Sequence, residues 1–237
     1  EIEPLLPFSF SFAAGAMPDQ ADLDAARRTN AAVAAITVVV VFAIGNAMAG
    51  LVAGSAGGLL LAVHPLHIWI GSQALSDQLL ILLVALALLV ALRLGRSPSR
   101  GLALALGILL GLGGATKLSP MLLAFPLALY GAGLLVLDRF DLVNRAKARS
   151  LAPLLLIQPL IAVATFVISY PYLWPSPVRR TWNLFQLRAQ EMDEQAAAWP
   201  NVNIAHPIEA IERIYQRLTW QFSATGNLAE GALGWRG

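Results

Sequence analysis

The chain has 237 residues, of which 57% are hydrophobic and only 13% charged, with a formal net charge of +2. This composition, together with a mean hydropathy of +0.66, excludes an ordinary soluble domain and predicts an integral membrane protein. The lack of cysteine excludes disulfides, thiolate metal sites and cysteine nucleophiles, and the basic residues form no stripe of the kind that binds nucleic acid.

Six apolar segments approach the length of about 20 residues that crosses a bilayer. The sequence therefore predicts an all-α, polytopic membrane helix bundle of about six transmembrane helices, at 29–48, 51–70, 74–92, 101–116, 121–137 and 151–170. A short turn at 46–50 separates the first two. Pro65 is expected to kink or end the second helix, and Ser76 or Asp77 to cap the third.

The region from Pro171 onward is polar and aromatic. Its first residues combine tyrosine, tryptophan and proline, which is typical of a membrane interface. Amphipathic helices are predicted from Val178 and from Pro207, and we expect both to lie on the membrane surface. The predicted organisation is an N-terminal segment (1–28), a six-span bundle (29–170) and an extracytoplasmic loop region with surface helices (171–237).

Basic residues concentrate in two predicted loops, those that follow the third and the fifth spans. By parity these loops lie on one face, which the positive-inside rule makes cytoplasmic. The N-terminal segment, the turn at 64–77, Lys117 and the C-terminal region then share the extracytoplasmic face of a plasma or inner membrane.

Two ionisable residues, Asp77 and Lys117, lie at the ends of segments that are otherwise apolar. An acid and a base at one membrane boundary favour a functional site, although Asp77 could simply cap a helix and Lys117 could simply extend to the interface. His64 and His67 are three residues apart and could bind a divalent cation with Asp77. Interfacial hydrogen bonding is the alternative for both histidines.

Three sequence features, each a weak signal alone, together indicate a protein family by their order along the chain. Arg27 or Arg28 opens the first apolar segment, a turn starting at His64-Pro65 ends in Ala-Leu-Ser-Asp77, and a glycine-rich helix ends in Gly-Gly-Ala-Thr-Lys117. This order, over about residues 25–220, resembles the GT-C superfamily of polyprenyl-phosphate-sugar glycosyltransferases. The closest resemblance is to the protein O-mannosyltransferase and aminoarabinose transferase branch.

The resemblance implies transfer of a sugar from a polyprenyl-phosphate carrier to an acceptor on the extracytoplasmic face. Lys117 matches the family's Thr-Lys turn and would hold the carrier phosphate. Asp77 matches the family's second acidic motif, near the acceptor or a divalent cation. Arg179 and Arg180 lie beside the aromatic stretch and could add phosphate contacts, a role that the family does not assign to them.

The chain also departs from this family. The principal catalytic acid of the family lies in a first extracytoplasmic loop after a first span, and Glu1-Ile-Glu-Pro-Leu-Leu-Pro only faintly resembles the end of that loop. The resemblance therefore implies a partial chain without that span and loop. A non-catalytic accessory subunit of a larger membrane complex is the alternative. A transporter would need charges buried mid-span or discontinuous helices.

Overall fold

The structure is a computed structural model that describes residues 19–198, 204 and 206–221. The chain divides into two compact units, the first ending at Ser169 and the second beginning at Tyr170. Among the described residues the regular structure is entirely helical, without a strand, so the predicted all-α class is confirmed. The acidic residues Glu1 and Glu3 and the rest of the predicted N-terminal segment up to residue 18 lie outside the described residues.

The first unit consists of eight helices within the described part of the chain. They are α1 (Gln20–Ala49), α2 (Leu51–Ala62), α3 (Pro65–Ser72), α4 (Asp77–Arg96), α5 (Arg100–Thr116), α6 (Ser119–Leu122), α7 (Ala124–Arg139) and α8 (Arg145–Ser169). The described residues of the second unit form a 3-10 helix (Pro171–Leu173), α9 (Pro177–Ala198) and α10 (Pro207–Gln221).

Four elements of the described chain are long and apolar enough to cross a bilayer: α1, α4, α6 together with α7, and α8. The pair α2 and α3, bent by 58°, makes a fifth if it counts as one broken span. The multi-pass architecture is thus confirmed, but the predicted count of six is too high by this measure. The predicted fourth span corresponds to α5, which is not counted as a span because it has only 17 residues. At 1.5 Å per residue α5 is about 26 Å long, shorter than a hydrocarbon core of about 30 Å.

Pro65 breaks the second predicted span, as expected. It is the first residue of α3, where its missing N–H costs no hydrogen bond and its fixed φ suits a helix start. The turn before α2 is tighter than the predicted 46–50, since α1 continues to Ala49 and Gly50 alone reverses the chain. Gly50 has φ 87° and ψ −177°, a conformation essentially limited to glycine.

Two helices start earlier than hydropathy indicated. The predicted first span began at Thr29, whereas α1 begins nine residues earlier at Gln20, where the Asp19 carboxylate caps the helix by accepting from the Asp22 N–H at 2.8 Å. The last predicted span was expected from residue 151, but α8 begins at Arg145. Hydropathy marks only the apolar part of a helix, whereas capping and charged side chains extend it into polar surroundings.

Contacts between helices fix which ends lie together. Gly107 of α5 packs against Ile161 of α8, and Gly111 packs against Ala162, so α5 and α8 run in the same direction. Gly131 of α7 packs against Leu155. We call the end of the first unit where α4 begins the Asp77 end, and the end where α4 finishes the Arg96 end.

Both arginine-rich loops, α4–α5 and α7–α8, lie at the Arg96 end, where the Arg96 guanidinium also donates to the Ala47 carbonyl of α1. The main apolar core lies between α4, α5, α7 and α8. Its fully or nearly fully buried side chains include Leu94, Leu106, Leu110, Leu151 and Leu155. Which end faces the cytoplasm stays a prediction from the charge distribution.

The helices of the second unit expose their apolar stripes. α9 contains no buried residue, and Val178 on its predicted stripe is 87% exposed. In α10, Ile208, Ile211 and Tyr215 are also exposed, while Glu209 pairs with Arg213 on the other face at 2.5 Å. The helices are where the sequence predicted them, and their location on a membrane surface stays a prediction.

Candidate functional site

Asp77 and Lys117, 40 residues apart in sequence, meet at the Asp77 end. The Lys117 Nζ lies 2.5 Å from the Asp77 Oδ1. Asp77 is the first residue of α4 and Lys117 immediately follows α5. Their side chains are 35% and 47% exposed, respectively, so both charges remain accessible to a ligand. The structure therefore brings together the two residues that the sequence singled out.

The turn that carries Lys117 is fixed by glycines of α5. Lys117 has an extended backbone, and its N–H donates to the Gly113 carbonyl at 2.9 Å. The chain then folds back so that Pro120 of α6 packs on Gly113, where an added Cβ would lie 2.9 Å from the proline Cβ. The glycine-rich end of α5 is thus needed for close packing of the turn.

Asn30 of α1 holds the loop that leads into Asp77. Its side-chain Nδ2 donates to the carbonyls of Gln73 at 2.6 Å and of Leu75 at 2.7 Å. These bonds join α1 to the segment between α3 and α4. Of the two predicted caps, Ser76 or Asp77, Ser76 occupies the N-cap position but makes no capping hydrogen bond with its side chain, and Asp77 lies in the first turn of the helix. The loop is positioned by a distant amide rather than by a local cap.

Three buried polar residues lie between α1, α3 and α4. Thr37 of α1 donates to the Val33 carbonyl at 2.8 Å and accepts from the Gln78 Nε2 at 3.3 Å. The His67 Nε2 lies 3.3 Å from the Ala34 carbonyl. Sequence reasoning missed Asn30, Thr37 and Gln78. The available signal was the presence of amide and hydroxyl side chains in segments that are otherwise apolar.

The two histidines do not form the predicted cation site with Asp77. His67 is buried with 6% exposure and is engaged with α1, while His64 occupies the position before α3. Within the described ranges no three His, Cys, Asp or Glu side chains cluster closely enough to hold a metal ion. Burial of His67 against a backbone carbonyl favours the structural alternative for this residue.

Arg179 and Arg180 belong to α9 in the second unit. The Arg180 guanidinium lies over the Tyr172 ring, 4.8 Å from its centroid, and donates to the Tyr172 carbonyl. Arg179 is exposed. The aromatic stretch thus orients Arg180 within its own unit, and phosphate binding by the two arginines stays a prediction.

Comparison with known protein families gives one informative match. Residues 13–172 match the family model described as dolichyl-phosphate-mannose-protein mannosyltransferase. This range covers more than half of the chain and includes Asp77 and Lys117, whereas Arg179 and Arg180 lie beyond it. The comparisons with curated proteins and with solved structures give no match. With its helical membrane-compatible bundle and this match, the chain belongs to the dolichyl-phosphate-mannose-protein mannosyltransferase family of membrane glycosyltransferases.

Proposed function

We propose that this protein transfers a sugar from a polyprenyl-phosphate carrier to an acceptor hydroxyl on the extracytoplasmic face, with Asp77 and Lys117 in the active site. The observation that carries the proposal is the ion pair that joins the start of α4 to the end of α5. A cation beside an accessible carboxylate supplies the two charges that this reaction needs.

Each charge has a distinct task in the proposed reaction. The acceptor oxygen forms a bond to the anomeric carbon of the sugar while the bond from that carbon to the carrier phosphate oxygen breaks. Negative charge then accumulates on the departing phosphate, and the Lys117 ammonium stabilises it. The acceptor hydroxyl loses its proton as it attacks, and the Asp77 carboxylate is the base that receives this proton.

The resting ion pair supports an exchange mechanism. Without a donor substrate, Lys117 neutralises Asp77, and both side chains are partly exposed. A partly exposed ion pair contributes only about 0–1 kcal/mol, so an incoming phosphate can replace the carboxylate as the partner of the ammonium at little cost. The exchange releases the Asp77 carboxylate to act as a base only once the donor is bound.

The distribution of basic residues supports the extracytoplasmic assignment. The arginine-rich loops α4–α5 and α7–α8 lie at the opposite end of the first unit from Asp77 and Lys117. Cytoplasmic loops carry the excess of Lys and Arg in membrane proteins. This distribution supports a site on the face where a lipid-linked sugar, rather than a cytosolic nucleotide sugar, is the donor.

The test uses the purified protein in nanodiscs with a radiolabelled polyprenyl-phosphate mannose. Lys117→Ala is expected to raise the donor KM and lower kcat, and Lys117→Arg to restore part of the activity because it keeps the charge. Asp77→Asn is expected to lower kcat with little change in donor KM, since it removes a base but not the phosphate ligand.

A second ion pair provides the matched control. Arg149 lies 3.3 Å from Asp138 at the Arg96 end, and Asp138→Asn is expected to leave transfer unchanged. Full activity in Lys117→Ala and Asp77→Asn would refute the assigned roles, as would an equal loss in Asp138→Asn. A wild-type protein that stays folded and gives no turnover would instead favour the accessory, non-catalytic role.

A further inference from the structure

A lateral cavity of about 460 Å³ lies between α1, α2 and α3. Its size falls within the range of about 300–1,000 Å³ that is typical of small-molecule sites. The residues of its lining that matter here are Ala31, Ala35, Val38, His67, Gly71 and Ser72. No lining residue of this cavity carries a formal charge apart from the titratable His67, so its walls suit an uncharged, largely aliphatic ligand.

His67 gives this cavity a hydrogen-bond acceptor. Its Nε2 faces the Ala34 carbonyl at 3.3 Å, and because a carbonyl only accepts, Nε2 must carry the proton. In the neutral imidazole, Nδ1 is then an acceptor. The bond to Ala34 is the one hydrogen bond that the His67 side chain makes within the described part of the chain, although the residue is only 6% exposed.

Gln78 provides a second unused acceptor beside the cavity. The Thr37 hydroxyl donates to Val33 at 2.8 Å, so the Thr37 oxygen can only accept from Gln78, and the amide must face it with Nε2. The Gln78 Oε1 is therefore turned away from Thr37. It is buried and has no hydrogen-bond partner among the described residues.

Gly71 lies between this second acceptor and the cavity. Gly71 lines the cavity, and a Cβ added there would lie 2.8 Å from the Ala34 Cβ and 3.8 Å from the Gln78 Oε1. Ala34 already fills the space beside Gly71, and the Gln78 Oε1 is buried, so this oxygen is closed off from the cavity and His67 is the polar group with which a ligand would bond.

We propose that the cavity between α1, α2 and α3 binds a long-chain aliphatic alcohol from the surrounding membrane. The hydrocarbon chain packs against the alanine and valine side chains of α1, and the hydroxyl donates to His67. An anionic amphiphile is disfavoured because neutral His67 offers an acceptor and no lysine or arginine lines the cavity. This site is separate from the Asp77–Lys117 pair and does not depend on the proposed transferase activity.

The probe is a long-chain alkanol that carries a diazirine at the end of its chain, added to the wild-type protein in phosphatidylcholine nanodiscs. After photolysis, mass spectrometry should find the label on α1 and α3. Dodecanol should compete with the probe, whereas dodecyl phosphate of the same chain length should compete at least several-fold less well. His67→Leu should weaken binding by about 2–10-fold, the value of one hydrogen bond.

A pair of phenylalanine variants separates cavity binding from general lipid contact. Ala35→Phe fills the cavity and should abolish the labelling. Val52→Phe adds the same ring at a position of α2 that is 83% exposed and should leave labelling intact. Labelling that spreads equally over all lipid-facing helices, survives in Ala35→Phe or is competed equally by dodecyl phosphate would overturn the proposal. An absence of labelling would show a cavity that holds water only and would also overturn it.

Discussion

Asn30 provides the sharpest prediction about how the site is positioned. Its Nδ2 donates two short hydrogen bonds, at 2.6 and 2.7 Å, to the carbonyls of Gln73 and Leu75. Asn30→Ala removes both donors. At about 0.5–1.5 kcal/mol of net stabilisation for each bond, the loop between α3 and α4 should lose about 1–3 kcal/mol of stability against local opening.

The predicted loss can be measured locally by hydrogen exchange. A change of 1.4 kcal/mol is a factor of ten in an equilibrium, so exchange of the Gln73 backbone amide, which donates to the Ile70 carbonyl at 3.2 Å, should accelerate about 5- to 150-fold. Amides in the middle of α8 should not change. Asn30→Asp keeps the side-chain shape but not the donor, and it should accelerate exchange in the same way.

Thr29→Ala is the matched control for this prediction. Thr29 precedes Asn30, and its hydroxyl donates to the Ala25 carbonyl within the same helix at 2.9 Å. This variant should leave loop exchange unchanged. In the transfer assay, Asn30→Ala should lower kcat because Asp77 is less well positioned. Unchanged exchange of the Gln73 amide in both Asn30 variants would refute the role assigned to this side chain.

Three glycine positions give further predictions of stability, each read from denaturant titrations in detergent micelles. Gly111→Ala should destabilise the protein by about 1–3 kcal/mol through overpacking, because the added Cβ would lie 2.5 Å from the Ala162 carbonyl oxygen. Gly133→Ala adds a Cβ in open space and should stabilise the protein by about 0.5–1 kcal/mol. A stability change of the same sign in both variants would contradict the close α5–α8 packing. Gly50→Ala should cost about 1–3 kcal/mol from backbone conformation alone, because nothing lies within 4 Å of its added Cβ, and an unchanged unfolding midpoint would show that this turn is formed differently.

The sequence by itself determined the architecture and the candidate pair. An apolar run of about 20 residues has few alternatives to a membrane helix, because a bilayer leaves backbone groups no partner outside a helix. Pro65 marked the break between α2 and α3 for an equally local reason, the missing N–H. The positions of Asp77 and Lys117 were visible because charges are rare and costly at the boundaries of such segments.

Only the tertiary structure decided how these elements meet. In a membrane helix both the packed and the lipid-facing sides are apolar, so periodicity does not identify the contact face, and α1 could not be placed against α4 from its sequence. The contacts of Asn30 with the loop before Asp77, and of Gln78 with Thr37, join residues more than 40 positions apart. Such pairings depend on which helices pack together. Close packing at glycines such as Gly107 and Gly111 determines this, and hydropathy does not.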